Sequence, residues 1–251
     1  MNKTVKKVLY TVASVALVFA IWTLLAELQD NNYLLPDPKS TFIALKAIIL
    51  SKDFLITVTY TLLRVLVGLS LGVVLGTLLA ILSHSSEVIR HLLSPIISII
   101  KATPVASFIV ILWIKLTGTE LAIFIALLMV LPIVWQNVLD GYDSIDKGLS
   151  EVCLVYSFSF RKKMKLLILP ALLKYFIPGL ITATGLAWKA EIAAEIIAYT
   201  SNSIGQKIND AKYYLDSPTV FAWTIIVIVL SIVLELIARI LMKRCKKWAS
   251  E

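Results

Sequence analysis

Charged residues, cysteine and histidine are all scarce in this chain, and each shortage excludes a class of protein. Of 251 residues only 16% are charged, whereas 59% are hydrophobic, which is not the balance of an ordinary water-soluble domain. The two cysteines, Cys153 and Cys245, cannot build a disulfide framework. The two histidines, His84 and His91, have no third ligand at metal-binding spacing. We therefore predict no metal site and no bound cofactor.

Sequence motifs of catalysis are missing as well. The chain has no G-x-x-x-x-G-K-[ST] phosphate loop, so any ATP hydrolysis linked to its function must come from a separate protein. It also has no H-E-x-x-H motif, no Ser/His/Asp set and no paired aspartates within an apolar run. These absences predict that the protein is not an enzyme.

Long apolar runs are abundant. Four of them approach the roughly 20 residues that cross a bilayer as a helix, and they cover residues 8–26, 65–83, 121–139 and 217–234. Two further runs, 92–116 and 166–188, are interrupted by lysine and proline, which at membrane depth indicates contact with protein or with an aqueous path. We predict an all-α membrane protein with about six transmembrane helices, in which residues 1–251 form a single transmembrane domain.

The formal charge of +8 follows the predicted topology. Basic residues gather at 3–7, 90, 147, 161–165 and 239–247, and isolated lysines stand at 39, 46, 52, 115, 207 and 212. Placing both termini in the cytoplasm puts the larger group on the cytoplasmic side, as the positive-inside rule requires. The orientation of the chain in a lipid bilayer therefore accounts for the positive charge, and no nucleic-acid partner is expected.

The second predicted span carries a stripe of small residues. Gly68, Gly72, Gly76 and Ala80 stand four positions apart and share one helix face, which allows another backbone to approach closely. The partner could be a helix of the same subunit or of a second copy, and the sequence leaves both open. Arg64, near the outer end of this helix, is expected to snorkel or pair at the membrane interface.

Polar residues inside the later spans are candidates for a translocation path. Such side chains are costly in contact with lipid and should face protein or a pore. The candidates are Gln136, Asn137, Trp188, Lys189, Glu191 and Glu195. An alternative is that Lys189 pairs with a glutamate of a neighbouring span or subunit and only fixes packing.

Residues 140–170 have the pattern of two short helices. Ser144 is a candidate N-cap for the first helix, with Asp146 in its first turn. One apolar helix face is then formed at i, i+3, i+4 and i+7 by Leu149, Val152, Cys153 and Tyr156. Ser159 is a candidate cap for a second helix that starts near residue 160.

Residues 140–170 also resemble the cytoplasmic EAA loop of ABC-importer permeases, which docks the ATPase of such a transporter. We therefore call them the coupling loop. The family pattern is matched by Glu151 at its Glu, Val152 and Cys153 at its two Ala positions, Ser157 at its Gly, Leu167 at its Ile, and Leu169-Pro170 at its final Leu-Pro. Ser157 departs from the pattern. If the family glycine supplies a positive φ in this turn, Ser157 must adopt a strained or slightly different turn.

The resemblance extends over residues 34–238. Within this range the chain is similar to the nitrate/sulfonate/taurine branch of binding-protein-dependent permeases. The matching segments include 34–38, 104–118 with Leu112-Trp113, Gly185-Leu186-Ala187-Trp188 and Ala193-Ala194-Glu195. Lys115 departs from this branch, which often has glycine at the equivalent position. This departure weakens the inference of a substrate from the branch.

The resemblance implies a type I ABC-importer permease fold in a bacterial inner membrane, and an importer of a small solute such as a nitrate-, sulfonate- or taurine-like anion or a vitamin precursor. It also implies two copies of a cytoplasmic ATPase, an external substrate-binding protein and a second copy of this chain as partners. The alternative from another functional class is a stand-alone secondary transporter or channel.

Overall fold

The computed structural model describes residues 3–29 and 34–250, and within these ranges every regular element is helical. The helices are α1 (Lys3–Gln29), α2 (Pro38–Ile49), α3 (Phe54–Ser85), α4 (Glu87–Ala102), α5 (Val105–Trp113), α6 (Gly118–Asp143), α7 (Lys147–Val155), α8 (Phe160–Lys163), α9 (Leu169–Ile197), α10 (Ile204–Tyr213) and α11 (Ser217–Ser250). A π-helical turn, Met164–Ile168, joins α8 to α9. The predicted all-α class is confirmed.

Five helical segments are long and apolar enough to cross a membrane, and a sixth crossing is made only if α4 and α5 count together. The predicted number of spans is confirmed in that sense, but the predicted run 92–116 is not one continuous helix. α4 and α5 meet at 97°, because Thr103 ends α4 in an extended conformation and Pro104 follows it. Pro95, by contrast, lies inside α4.

The small-residue stripe of α3 packs against α6 of the same chain. A Cβ atom added at Gly72 would lie 2.6 Å from the Cβ of Val130, and one at Gly68 would lie 2.6 Å from the backbone oxygen of Ile123. Neither contact leaves room for a side chain. Of the two partners that the sequence left open, the structure shows the helix of the same subunit.

α6 is the centre of the bundle and packs along both α3 and α9. Two buried tryptophans hold its surroundings by side-chain hydrogen bonds. Trp135 of α6 donates to the hydroxyl of Ser83 (3.0 Å), and Trp188 of α9 donates to the carbonyl of Val227 in α11 (3.1 Å). α1 lies outside this bundle, and its apolar stretch is almost entirely exposed in one protomer.

α2 shows how a proline and a cap start a helix in this chain. Pro38 occupies the first turn, where its missing N–H leaves no bond unmade. Asp37 is the N-cap and accepts a hydrogen bond from the backbone N–H of Ser40 (3.3 Å). Hydrogen bonds from Ser40, first from its side chain and then from its backbone, lower the pKa of Asp37. α2 therefore starts at Pro38, with Asp37 as its cap and Ser40 inside its first turn.

Candidate coupling loop and translocation path

The first helix of the coupling loop, α7, starts later than the sequence predicts. Asp146 is its N-cap and accepts from the backbone N–H of Leu149 (3.1 Å). Ser144, the predicted cap, instead ends α6 and donates its hydroxyl to the carbonyl of Gly141 (2.8 Å). The prediction was wrong because α6 continues past its apolar run to Asp143. The carboxylate then lies next to the first free N–H groups of α7.

The apolar face predicted for α7 is largely uncovered. Cys153 is buried, but Leu149, Val152 and Tyr156 are 55%, 46% and 71% exposed. Three of the four residues therefore do not cover the ends of their own spans. A short helix with such a surface, standing between two spans, is suited to fill an apolar groove of another protein.

Ser157 ends α7 in the left-handed conformation, with φ +50°. The N–H of Phe158 bonds to the carbonyl of Cys153 (2.9 Å), and the N–H of Ser157 bonds to the carbonyl of Leu154 (3.0 Å). These two bonds define a Schellman motif, whose left-handed residue is usually glycine. The positive φ expected at this position is confirmed, and Ser157 bears the strain.

The second loop helix is basic and leads directly into a membrane span. Ser159 caps it by accepting from the backbone N–H of Lys162 (3.4 Å), as predicted. The π-helical turn follows, and Pro170 stands in the first turn of α9. Because Pro170 has no N–H, it cannot donate to the carbonyl of Leu166 as a helical residue would. A wide turn at this position is consistent with that loss.

We call the end of the bundle that carries residues 144–159 the loop end, and the opposite end the far end. At the loop end, Lys101 donates to the side-chain oxygen of Gln136 (3.3 Å), and Gln136 donates to Asp140 (2.8 Å). Asn137 packs against Gly179, where an added Cβ would lie 2.5 Å from the Asn137 amide carbon. Gln136 thus belongs to a partly exposed polar chain, and Asn137 to a helix contact.

The far end contains a buried polar group that we call the far-end cluster, formed by Thr61, Arg64, Thr119, Glu191 and Glu195. The Glu195 side chain is 0% exposed and Arg64 is 6% exposed. The guanidinium donates to Glu195 (2.8 Å) and to Thr119 (3.1 Å). Thr61 donates its hydroxyl to the same carboxylate (2.9 Å).

The far-end cluster also fixes the connection between α9 and α10. The N–H of Gly205 donates to Glu195 (3.1 Å), and the N–H of Ile204 donates to the hydroxyl of Thr61 (3.1 Å). Arg64 donates to the carbonyl of Ser201 (2.9 Å). α3, α9, α10 and the loop between α9 and α10 therefore meet at the ion pair of Arg64 and Glu195.

The predicted path residues do not form one cluster. Gln136 and Asn137 lie near the loop end, whereas Glu191 and Glu195 lie at the far end and are buried inside the protomer. Trp188 is buried, and Lys189 is exposed. Lys189 has no ion pair with any residue in the ranges 3–29 and 34–250.

Sequence reasoning missed the ion pair between Arg64 and Glu195. It placed Arg64 at the membrane interface and Glu195 on the path. A pattern that could have found the pair is the position of Arg64 on the same helix face as Gly68 and Gly72, which the stripe already marks as facing protein. An arginine on a protein-facing stripe requires an acceptor.

Comparison with known proteins places the chain among transport permeases. The family described as the binding-protein-dependent transport system inner membrane component matches residues 72–247. The putative aliphatic sulfonates transport permease protein of Bacillus subtilis is 28% identical over 93% of this chain and 85% of its own length. The taurine transport system permease protein of Escherichia coli is 24% identical over 98% of this chain and 92% of its own length.

One further relative and one solved structure are also similar to this chain. The nitrate import permease protein of a Synechocystis species is 26% identical over 76% of this chain and 72% of its own length. A crystal structure of an amino acid ABC transporter with histidines matches with a TM-score of 0.59 at 17% identity, and covers 74% of this chain and 89% of that one. The latter similarity concerns the fold.

The predicted identity as an ABC-importer permease in the inner membrane is confirmed, and the alternative of a stand-alone secondary transporter or channel is not supported. The apolar helices make it a multi-pass protein. With residues 72–247 matched to its pattern, the chain belongs to the family of binding-protein-dependent transport system inner membrane components.

Proposed function

We propose that this permease binds its ATPase through α7 and transmits the movement of that subunit to the spans. The observation that carries the proposal is the uncovered apolar surface of α7, with Leu149, Val152 and Tyr156 exposed. α7 follows α6 directly, and α8 continues through the π-helical turn into α9. A push on this loop would therefore reach the two helices that pack along each other at the centre of the bundle.

A charge at the centre of this surface tests the proposal. We predict that Val152→Asp abolishes co-purification of the ATPase. An unpaired carboxylate buried in an apolar groove lowers the binding free energy of the interface by about 2 to 5 kcal/mol. Membrane insertion and the amount of permease should stay as in the wild type, because Val152 is 46% exposed in the protomer.

Leu215→Asp is the matched control. Leu215 is 66% exposed, lies at the far end between α10 and α11, and has φ +54°, a conformation that aspartate tolerates. This variant adds the same charge at the opposite end and should retain the ATPase. Retention of the ATPase by Val152→Asp, or its loss only in Leu215→Asp, would show that the docking surface is wrongly placed.

We further infer that two copies of the chain form the permease and that both termini are cytoplasmic. α1 supports the first inference, since it is almost unburied in one protomer and leaves an apolar surface for lipid or for a second copy. The basic residues of α8 support the second, because they stand at the loop end. Native mass spectrometry of the purified complex should show two permeases and two ATPases. A different second permease would contradict the homodimer.

The transported solute is proposed to be a small anion delivered by an external binding protein. Relatives named for sulfonates, taurine and nitrate support this class. An open cavity of about 430 Å³ beside Arg64, lined also by Thr119 and Asn202, has room for such a solute. Lys189, exposed on α9, would attract an anion electrostatically. A vitamin precursor is the other candidate that the family branch offers.

Ligand-induced stabilisation of the cognate binding protein identifies the solute directly. A screen with nitrate, taurine and alkyl sulfonates should raise its melting temperature for at least one of them, because a ligand that binds only the folded state stabilises it. Stabilisation by a neutral pyrimidine precursor alone would exclude the anion class. That outcome would leave the assignment as a permease unaffected.

A further inference from the structure

Glu191 is a buried carboxylate that no donor group contacts. Its side chain is 0% exposed, and neither of its oxygens accepts a hydrogen bond from a donor in the described parts of the chain. Its polar neighbour is the carboxyl group of Glu195. Glu195, four residues later on the same helix face, is bonded by Arg64, Thr61 and Gly205. The two glutamates thus occupy similar positions on α9, one turn apart. Glu195 accepts several hydrogen bonds, whereas Glu191 accepts none from a described donor.

The charges of the far-end cluster do not balance. One arginine stands near two carboxylates, and Arg64 and Glu195 both interact electrostatically with Glu191. A buried charge or polar group without a partner costs folding free energy that an apolar residue at the same place would not. No donor group in the observed conformation accounts for a glutamate at this position.

Another arrangement of the same helices would supply the reason. Residues four apart on a helix differ in height by about 6 Å, close to the pitch of 5.4 Å. A one-turn shift of one packed helix past another is an established type of conformational switch. Such a shift of α9 along α3 would bring Glu191 to the guanidinium of Arg64.

We propose that Glu191 is the second partner of Arg64, and that the exchange between Glu195 and Glu191 positions the far end of the permease in its two transport states. This inference rests on the proposed function, since the movement would come from the ATPase through α7. In the observed state Arg64 holds the α9–α10 connection through the carbonyls of Ser201 and Asn202. In the exchanged state Glu195 leaves the guanidinium and the connection is released.

The connection itself is suited to two states. It contains two non-glycine residues in the left-handed region, Tyr199 and Asn202, with φ of +50° and +51°. Such residues store backbone strain that persists only while surrounding contacts hold it. Loss of the contacts from Arg64 and Glu195 would remove part of what holds them.

A cysteine at Ser201 reports the release. The Ser201 side chain is exposed, and its contact with Arg64 uses the backbone carbonyl, so Ser201→Cys keeps the contact. The permease–ATPase complex in nanodiscs is treated with a membrane-impermeant maleimide, without nucleotide or trapped with ATP and vanadate. Labelling is quantified by mass spectrometry on the peptide that contains residue 201. Trapping should raise the labelling rate about fivefold or more, the lower end of the usual coupling range.

The glutamates should respond differently in this assay. Glu191→Gln should remove the rise on trapping and leave the nucleotide-free labelling rate unchanged. It should not lower the melting temperature, because it removes a buried carboxylate that no donor contacts. Glu191→Asp should restore part of the rise. Glu195→Gln should raise the nucleotide-free rate. Glu27→Gln, at an exposed carboxylate of α1, is the matched control and should change neither quantity.

Two outcomes would overturn the proposal. One is a full rise on trapping in Glu191→Gln, which would show that the exchange does not need Glu191. The other is equal labelling of Ser201→Cys in both states, which would show that the connection is not released. Failure of the proposed function is distinguishable from both, because it appears as loss of the ATPase from the purified complex before any labelling.

Discussion

One helix ends in the same backbone motif at the loop end and another at the far end of the bundle, but the side-chain contacts that support the two turns differ. α7 ends at Ser157 and α9 ends at Tyr199, both left-handed and both followed by the long backbone bond of a Schellman motif. Tyr199 is also held by its phenol, which donates to Asp210 (2.6 Å). Ser157 has no side-chain hydrogen bond to another described residue.

The side chains around the two helix ends differ in burial as well. At the far end most of the polar side chains are buried and bonded across three helices, the exceptions among the described residues being Glu191 and Thr200. At the loop end the apolar side chains of α7 are exposed. The far end is therefore complete within one protomer in its resting contacts, whereas the loop end requires another protein to cover it. This difference separates residues that hold the fold from residues that receive a partner.

Breaking the far end should have the largest effect on stability. We predict that Arg64→Leu lowers the free energy of unfolding by about 3–5 kcal/mol, because it leaves Glu195 buried and unpaired. Arg90→Leu is the comparison at the loop end. Arg90 pairs with Asp143 at the surface, with side chains 41% and 44% exposed, and such a pair contributes about 0–1 kcal/mol.

Thermal unfolding in detergent measures both variants. Adding Glu195→Leu to Arg64→Leu should recover much of the loss, since an apolar pair can replace a buried ion pair at little cost. Equal losses in Arg64→Leu and Arg90→Leu would mean that the two ends do not differ in self-sufficiency.

The sequence predicts the loop end better than the far end, for a physical reason. The apolar face of α7, the cap at Ser159 and the strained turn at Ser157 are local, since each depends on residues within about two helical turns. The partner of Arg64 is separated from it by 131 positions, and no periodicity connects them. The one local error, Ser144 as N-cap, arose where two candidate caps stand two residues apart.

The number of spans shows the same limit. Apolar length identifies the crossing helices, but the 97° bend between α4 and α5 depends on which proline breaks the chain. Pro95 stands inside α4 and Pro104 stands at the bend. Composition alone does not distinguish these two prolines.

Relieving the strain at the loop end should have a smaller effect of opposite sign. Ser157→Gly removes left-handed strain of about 1–2 kcal/mol and adds the entropy cost of glycine, about 0.5–1 kcal/mol. We predict a net stabilisation of about 0.5 kcal/mol, read as a higher melting temperature of the permease. Ser157→Val should lower it, since a β-branched residue fits this conformation poorly. Unchanged stability in both variants would show that the partner, rather than the turn, determines this geometry.

The smallest expected effect is the loss of the side-chain support at Tyr199. Tyr199→Phe keeps the left-handed backbone and removes the bond to Asp210, so the melting temperature should fall slightly. The bond also raises the pKa of Tyr199, because the phenol gives up its donated hydrogen when it ionises. A raised pKa in the folded state stabilises below the ordinary tyrosine value of about 10 and loses this contribution as the pH rises through the raised value. The difference in melting temperature between the wild type and Tyr199→Phe should therefore persist at neutral pH and disappear in strongly alkaline buffer. Ser157→Ala at the loop end, which removes a hydroxyl without a described partner, should show no such pH dependence. If both variants behave alike across this range, side-chain support does not distinguish the two ends.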